Sequence, residues 1–376
     1  MTHTLPLFGV LLCLPACAAP ASAIGLDDDS AGAHSPVAGL TVSTGAFVLH
    51  GATVLTPTGA VIEDVVVRGG RIVRLGASGP GDGPFLDVTG RFVAPAFIDS
   101  HVHLAYLPEG ATLADHGIAG AVDMAAPESF LTASHAPLEV LASGPMVTAV
   151  HGYPTESWGS NGYGIECADS AAAVAAVDRL VGEGAKLIKL PITGPAGQDQ
   201  LDDSAVAAAA AEAHARGVLT ASHALGDDEA ARAAADGIDV LAHTPTGTLS
   251  TATVSAWASR TVVTTLVAFG NSATTRENLT ALRSAGARVL YGTDFGNAQD
   301  AAINAEEVQG MLDAGMTGQA IVDAGTTVPA AFWGFSDLGT LQVGKKASLL
   351  ILNADPRLDP LTLAQPVAVY IDGRRR

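Results

Sequence analysis

An alternation of short apolar segments with alanine-rich helical segments, between residues 96 and 335, constrains the fold more than any other feature. Helices are indicated over 171–182, 204–215 and 228–235, each with an Asp or Ser at or just before its start as a cap. Eight segments have the length and apolar character of buried strands: 96–101, 117–124, 146–151, 185–190, 218–223, 239–243, 261–267 and 288–294. Eight strand–helix units in about 240 residues match an α/β fold of the TIM (β/α)8 barrel type in number and length.

Both ends of the chain have a different pattern, with short strands separated by turns. Gly69 and Gly70 stand between two of these strands and form a strong hairpin signal. Strands are indicated at 47–50, 52–55, 65–67, 72–75, 91–95, 348–352 and 367–371. Two β-rich ends around a different middle predict one small β-sandwich domain built from residues 44–95 plus 339–376, with the barrel over 96–338.

The first 23 residues read as a secretory leader. Residues 6–19 form an apolar run that is too short to span a bilayer comfortably, and Ala21-Ser22-Ala23 supplies a cleavage signal before Ile24. The small and polar residues 24–43 then predict a linker. We therefore expect the protein to be exported, whether secreted or periplasmic.

Two alternatives to simple cleavage remain open at this end. Leu14-Pro15-Ala16-Cys17 resembles a lipobox, which would make Cys17 a lipid-anchored N-terminus and the sole link to a membrane. The leader also lacks Lys and Arg, since the first basic residue of that kind is Arg68. A start codon placed too far upstream would explain this, and the chain would then be cytoplasmic.

Composition excludes several classes of protein. A chain that is 48% hydrophobic is not mainly disordered, and a net charge of −19 makes nucleic acid an unsuitable partner. Two of the three cysteines lie in the leader, so Cys167 has no partner for an internal disulfide within the mature chain.

Histidines and one aspartate recur where predicted strands end. His101 and His103 end the first strand, His223 the fifth, His243 the sixth and Asp294 the eighth. The carboxyl ends of barrel strands meet at one mouth, and imidazole with carboxylate favours a metal such as Zn²⁺. A single histidine at a strand end is usually a core residue, but this set together predicts a metal site. Four other histidines are predicted to be structural: His50, His116, His135 and His214.

Lys189 stands between Ile188 and Leu190 in a strand that a barrel would bury. Burial of an ammonium group is costly, so this amine should shift its pKa, pair with an acid or be modified. Its stem could instead lie along the wall with its head in solvent, or Lys186 could be the inward residue. A neutral Lys189 that captured CO₂ as a carbamate would become an anionic ligand able to bridge two metals.

The strand-end residues with Lys189 and two flanking motifs resemble the amidohydrolase superfamily, in particular its imidazolonepropionase-like and prolidase-like branch. Residues 94–104 (Ala-Pro-Ala-Phe-Ile-Asp-Ser-His-Val-His-Leu) look like the opening motif of that family. Residues 338–347 (Leu-Gly-Thr-Leu-Gln-Val-Gly-Lys-Lys-Ala) look like its return into the β-sandwich. The resemblance extends over nearly all of 47–373.

This resemblance implies a site with two divalent metal ions, of which zinc is the expected identity. His101, His103 and Asp294 would hold one ion, His223 and His243 the other, and carbamylated Lys189 would bridge them. A hydroxide between the metals would be the nucleophile, and Asp294 would serve as general base and then general acid. The implied reaction is hydrolysis of a C–N bond in an amide, a peptide or a cyclic amide.

The chain departs from the family pattern at three places outside the metal set. Ala96 stands where a glycine is usual, residues 117–123 differ from the usual second strand, and Ser348 replaces an aspartate. These changes leave the expected ligands in place, but they limit what the resemblance implies about a specific substrate.

The segment after the third strand concentrates aromatic residues in a chain that is 5% aromatic overall. His151, Tyr153 and Trp158 are therefore candidates for binding a small-molecule or short-peptide substrate, although loop aromatics often simply pack a loop down. No arginine stands out as a partner for a substrate carboxylate.

Two other functions are compatible with parts of this pattern. A mononuclear deaminase or cyclic-amide hydrolase would use His101, His103, His223 and Asp294, with His243 polarising the carbonyl; the position of Lys189 favours the bridged form instead. A catalytically inactive secreted binding protein would be expected to lose ligands, whereas this chain retains the full set.

Overall fold

The computed structural model describes residues 45–194 and 197–376. The predicted leader over 1–23, the alternative anchor at Cys17 and the linker over 24–43 lie outside the described residues and stay predictions. Within the described residues, no helix is both long enough and apolar enough to cross a membrane.

The described elements alternate along most of the chain. The strands are β1 Ala46–Thr56, β2 Gly59–Arg68, β3 Arg71–Leu75, β4 Phe85–Asp87, β5 Phe92–Pro95, β6 Phe97–Val102, β7 Ile118–Asp123, β8 Glu139–Ala142, β9 Met146–Ala149, β10 Gly164–Cys167, β11 Leu187–Pro191, β12 Leu219–His223, β13 Val240–Leu241, β14 Thr261–Val263, β15 Arg288–Leu290, β16 Leu349–Leu352, β17 Ala368–Ile371 and β18 Arg374–Arg375. The helices are α1 Gly110–Asp115, α2 Ser170–Glu183, α3 Asp203–Ala215, α4 Asp227–Ala235, α5 Thr251–Ala256, α6 Ala273–Ser284, α7 Ala305–Asp313, α8 Gly318–Gly325 and α9 Thr327–Trp333. Short 3-10 turns lie at Glu128–Thr132, Val267–Phe269 and Pro360–Ala364.

The middle of the chain forms the wall of an α/β barrel, as predicted. Strands β6, β7 and β8 are parallel, and β11 to β15 form a second parallel sheet. The two sheets meet where the Ser100 N–H donates to the Tyr291 carbonyl at 2.9 Å and the Asp294 N–H donates to the His101 carbonyl at 2.9 Å. This junction brings the end of the eighth strand beside the end of the first. The ladder is interrupted on the far side, where β9 pairs with β10 alone.

The third barrel strand is broken into two pieces, β8 and β9, and the predicted strand 146–151 covers only the second piece. The first piece, β8, pairs with β7 and was not predicted from the sequence. The break falls at Ser143-Gly144-Pro145, where Gly144 has a φ of 68° and the proline has no N–H to offer a ladder. The second piece, β9, runs beside β10 at the mouth of the barrel.

Strands from both chain ends share one sheet, in the order β18-β17-β16-β5-β1-β2-β3, with β4 also paired to β1. The two short strands predicted at 47–50 and 52–55 are one long strand, β1, with an irregularity between Leu49 and Ala52. The hairpin at Gly69 and Gly70 is present, and both glycines have positive φ, which suits the right-handed twist of the strands. The assignment of 44–95 plus 339–376 to a separate domain stays a prediction.

The helices begin close to their predicted starts. The Asp169 carboxylate accepts a hydrogen bond from the Ala172 N–H at 2.9 Å and caps α2, and Asp202 caps α3 through the Ala205 N–H at 2.8 Å. Helix α4 was predicted to have a side-chain cap, and this was wrong. Its N-cap is Gly226, and three acidic residues in its first turn complement the helix dipole instead.

Candidate metal centre

All six predicted metal ligands lie together at the mouth of the barrel. They line one cavity of about 240 Å³. Met146, Tyr153, Trp158, Ala268, Phe269 and Asn297 complete its lining. The barrel topology explains the convergence, because each ligand follows or ends a parallel strand and the carboxyl ends of those strands face the same side.

His101, His103 and Asp294, which we call the first ligand group, are almost fully buried and face one another. Their ligand atoms lie within 4.8 Å of one another. The Nε2 atoms of the two histidines are 3.3 Å apart, and Asp294 Oδ1 lies 3.4 Å from the first and 3.0 Å from the second. His101 Nδ1 is 2.8 Å from the Ala242 carbonyl, which can only accept. Nδ1 therefore carries the proton, and the Nε2 lone pair faces the cavity.

Asp294 has a left-handed backbone, with φ at 57°. This conformation is unfavourable for a residue with a side chain, and it persists where surrounding contacts enforce it. Its N–H is bonded to the His101 carbonyl, and Asn297 Nδ2 donates to its two oxygens at 3.1 and 3.3 Å. Burial alone would raise the pKa of Asp294, but His101, His103 and Asn297 outweigh it and hold that pKa below its ordinary value. The group is a carboxylate at neutral pH.

Two buried carboxyl groups brace the first ligand strand. Asp99 accepts hydrogen bonds from the His101 N–H at 3.0 Å and from the Thr293 hydroxyl at 2.6 Å, so it ties the first strand to the eighth. Asp123 accepts from the Leu104 N–H at 2.6 Å and fixes the chain just after His103. Burial raises the pKa of Asp99 to about 7 and that of Asp123 to about 6. Both groups act on the site through the backbone that carries the ligands.

Gly296 allows the eighth strand to pass directly beside His103. Its φ is +117°, and a Cβ placed on it would lie 2.7 Å from the Cβ of His103. An atom there would require the histidine to move. The glycine is thus required both by backbone conformation and by close approach.

Lys189, His223 and His243, which we call the second ligand group, come from three successive strands of the β11–β15 sheet. Lys189 is 1% exposed, and its nearest described polar partner is the Met124 sulfur, 3.7 Å from Nζ. Burial lowers the pKa of this amine to about 7, although Asp294 and Asp123 partly offset the effect. Lys189 is therefore the lysine that faces the cavity, and the alternative that Lys186 points inward is wrong, because Lys186 is exposed.

The two histidines of the second group are neutral. His243 Nδ1 lies 3.1 Å from the Thr265 hydroxyl, and its ring centre is 4.5 Å from that of His101 and 4.6 Å from that of His223. Burial lowers the pKa of His223 to about 3 and that of His243 well below its ordinary value, and Lys189 adds to both shifts. Neutral imidazole is the form that binds metal.

The predicted substrate residues divide between two places. Tyr153 and Trp158 line the cavity, and the Trp158 indole N–H donates to the Tyr153 hydroxyl oxygen at 2.8 Å. His151 does not line it, because its side chain is 71% exposed and pairs with Glu156 at 2.9 Å. The structure therefore does not bring His151 to the ligands, and its predicted role in substrate binding has no support from this geometry.

The four histidines predicted to be structural each have a local partner and do not line the cavity. His50 pairs with Asp64 at 2.9 Å and His214 with Asp239 at 2.8 Å. His116 Nδ1 lies 2.8 Å from the carbonyl of Thr112, and His135 Nε2 lies 3.0 Å from the carbonyl of Phe130. Local bonding accounts for all four.

Three residues at the mouth were missed in the sequence. Phe269 lies on the short turn after β14, with its ring centre 4.8 Å from that of His243, and Asn297 holds Asp294. Glu307 is fully buried and accepts from the backbone N–H groups of Leu266 and Val267, each at 2.9 Å, which fixes the start of that turn. Of these three residues, only Asn297 could have been found from its spacing, because it lies three residues after Asp294.

The donor set fits a divalent metal ion. Two Nε2 atoms and a carboxylate oxygen converge in a buried space, which is the ligand chemistry that Zn²⁺ prefers. Within the part of the chain that the structure describes, Lys189 has no carboxylate within ion-pair distance, and the buried His103 Nδ1 finds no hydrogen-bond partner. Such unpaired buried groups are costly unless a ligand satisfies them.

Comparison with known proteins gives a family match over most of the chain. The sequence model of the amidohydrolase family matches residues 92–376. An allantoinase of Enterococcus faecalis (strain ATCC 700802 / V583) is 41% identical over 58 residues, which are 15% of this chain and 13% of that protein. An N-acyl-D-aspartate deacylase of Alcaligenes xylosoxydans xylosoxydans is 48% identical over 61 residues, which are 15% of this chain and 12% of that protein. The matches thus span a small part of either relative.

Solved structures share the whole fold. A Xaa-Pro dipeptidase with bound methionine in the active site superposes with a TM-score of 0.76 and 18% identity, over 88% of this chain and 99% of that one. A phenylurea hydrolase B superposes with a TM-score of 0.70 and 17% identity, over 88% of this chain and 96% of that one. An ochratoxinase of A. niger superposes with a TM-score of 0.69 and 16% identity, over 88% of this chain and 96% of that one. At these identities the likeness concerns the fold alone.

Proposed function

We propose, on the premise that the chain belongs to the amidohydrolase family, that it is a metal-dependent hydrolase of C–N bonds in amides, peptides or cyclic amides. The observation that carries the proposal is the convergence of two histidines and an aspartate within 4.8 Å at the mouth of the barrel, beside two further histidines and a buried lysine. Binding sites in such barrels lie at this face.

Each ligand would have a defined part. His101, His103 and Asp294 would hold one divalent ion, and His223 and His243 the other. Lys189 would join the two as a carbamate formed with CO₂, since burial without an acid partner favours its neutral amine. Bound ions of this kind lower the pKa of water and polarise a carbonyl, which is the chemistry that amide hydrolysis requires.

Asp294 would move the proton. The reaction adds water to the carbonyl carbon and breaks the C–N bond, so one proton must leave the water and reach the leaving nitrogen. The Asp294 carboxylate stays ionised at neutral pH and lies within the cavity, where it can accept this proton and return it. Asn297 would keep its two oxygens oriented during both transfers.

The metal content of the chain tests the proposal most directly. Protein reconstituted with Zn²⁺ and bicarbonate should retain about two ions per chain and hydrolyse members of an amide, dipeptide and lactam library. Lys189→Ala should lose one of the two ions, whereas Lys186→Ala, at the exposed residue just before the same strand, should lose neither. One ion that is insensitive to Lys189→Ala would favour a mononuclear deaminase or cyclic-amide hydrolase, and no ion at all would contradict the catalytic proposal.

A further inference from the structure

The cavity has little positive charge to offer a substrate beyond the ligand set. Of the described residues that line it, Lys189 is the one lysine or arginine, and it belongs to the second ligand group. The rest of the lining is aromatic, apolar or amide: Met146, Tyr153, Trp158, Ala268, Phe269 and Asn297. A substrate carboxylate against this part of the wall, away from the ions that the ligand set would hold, would lose its water without gaining a cationic side chain, and this desolvation is costly.

Tyr153 is the polar exception in this wall. Its oxygen accepts the Trp158 indole N–H at 2.8 Å, which fixes the phenol while leaving its own proton free to donate. The ring lies between Trp158 and His223, with centres 6.1 and 5.5 Å away. Burial raises the pKa of Tyr153 to about 12, so the hydroxyl keeps its proton at any working pH. Asn297, by contrast, donates its side-chain N–H groups to the two carboxylate oxygens of Asp294.

The segment that carries Tyr153 also carries carboxylates on its solvent-exposed side. Glu156 pairs with His151, and the Glu166 carboxylate accepts the His151 N–H at 3.0 Å and the Thr155 hydroxyl at 2.9 Å. Asp199 lies beside this segment, since its backbone forms an isolated bridge with Gly152. Carboxylates on the solvent side of the segment that brings Tyr153 and Trp158 to the cavity disfavour an anion nearby.

We propose that this site selects amides without a negative charge, and that Tyr153, oriented by Trp158, is the residue that binds an uncharged oxygen of the substrate. The proposal rests on the proposed hydrolase function and narrows its substrate class. It sets the chain apart from enzymes that cleave peptides ending in a free carboxylate, for which a basic side chain in the cavity would be expected.

Matched substrate pairs test this selection. N-benzoylglycinamide and N-benzoylglycine share the benzoyl amide, whose cleavage is followed in both as release of benzoate, and differ in a carboxamide against a carboxylate; dihydrouracil and its 6-carboxylate form a cyclic pair. The zinc-loaded protein should prefer the neutral member of a pair by about 10²-fold in kcat/KM, because two unfavourable charge effects add. Equal or better use of the carboxylates would overturn the proposal.

A binding measurement separates this inference from the hydrolase proposal. Trp158 lies in the cavity, whereas Trp257 and Trp333 bond to Ala230 and Ser100, so quenching of tryptophan fluorescence that Trp158→Phe abolishes reports occupancy. The neutral members should bind more tightly than the carboxylates even if no amide is cleaved. Such binding without cleavage would contradict the hydrolase proposal but would support the selection against charge. Failure of both members to bind would count against the selection itself.

The role of Tyr153 has its own control. Tyr153→Phe should weaken binding and kcat/KM of the neutral member about 10-fold, the loss expected for one hydrogen bond, without changing the metal content. Tyr106→Phe is matched, since Tyr106 also contacts the Trp158 ring edge but is 48% exposed and does not line the cavity, and it should have no effect. Equal effects of the two changes would show that Tyr153 only packs against the loop.

Discussion

His101 and His103 leave one strand and face an aspartate that is bonded back to that strand, whereas Lys189, His223 and His243 come from three different strands. In the first group each ligand, or the backbone that carries it, is braced: Ala242 orients the His101 ring, Asp123 holds the chain after His103, and Asn297 holds Asp294, while the His103 Nδ1 has no partner among the described residues. In the second group Lys189 reaches a methionine sulfur, and His243 reaches one threonine hydroxyl.

This difference indicates that the first group is assembled by the fold and that the second is completed by what it binds. A preorganised set of ligands loses little entropy when an ion enters, so the first group should bind metal more tightly. The second group should depend on the chemical state of Lys189.

Asp294→Asn should have the largest effect on activity. The change removes the proton acceptor and one charge from the first group while it keeps the shape of the side chain, so hydrolysis should fall by about 10⁴-fold. Turnover and metal content should be measured together, with the exposed Asp228→Asn as the matched control. Activity within 10-fold of the parent would remove Asp294 from the proposed mechanism.

Lys189→Ala should reduce activity by about 10³-fold and should be partly rescued. A small carboxylic acid such as formate can occupy the space of the missing carbamate, so millimolar formate should raise the turnover of the variant about 10-fold or more. The first ion should remain bound, since its ligands are held independently. Formate should not affect Lys186→Ala, and loss of both ions from Lys189→Ala without rescue would erase the contrast between the groups.

The sequence predicted the parts of the site that repeat with the strands. Each strand-end residue lies at the mouth because a buried parallel strand leaves its carboxyl end there, and the periodicity of apolar segments reveals this. Lys189 could be recognised as a candidate ligand because a charged amine is rare and costly inside a buried apolar strand. Seven of the eight predicted barrel strands and their order followed from the same pattern, whereas the third was predicted only in its second half.

The parts that failed depend on contacts that no local pattern reports. His151 was grouped with Tyr153, yet its positive φ of 58° turns it towards Glu156 and solvent. Phe269 reaches the cavity because Glu307, 38 residues further along the chain, bonds the start of its turn. The break in the third strand also required the pairing partner of β8 to be known. Long-range bonds decide such details, and the sequence does not display them.

Glu307 supports the second-group side of the mouth and should make stability depend on pH. Burial raises its pKa from 4.5 to about 7, so the folded state holds a proton that the unfolded state has released. Protonated Glu307 makes its full contribution to the free energy of unfolding below pH 4.5. This contribution is lost as the pH rises to about 7, so the free energy of unfolding falls by up to about 3 kcal/mol over that range. In denaturant titrations from pH 4.5 to 8, Glu307→Gln should lose the part of the slope that Glu307 contributes, whereas Asp99 and Asp123, whose pKa values burial also raises, keep theirs. The exposed neighbour Glu306→Gln should keep the full slope of the parent, and equal slopes in all three proteins would contradict the assignment.

Gly296→Ala should give the smallest effect and the sharpest test of bracing in the first group. A methyl group at this position meets the Cβ of His103 at 2.7 Å, so the histidine must shift and metal affinity should fall about 10-fold. Gly286→Ala is the matched control, since Gly286 also has a positive φ, +99°, but open space around its Cβ position. Both variants should lose about 1 kcal/mol of stability through backbone strain, and Gly296→Ala alone should release metal in a chelator titration. If the two variants retained metal equally, the first group would tolerate displacement of His103, and its advantage over the second group would have to come from charge rather than from a fixed geometry.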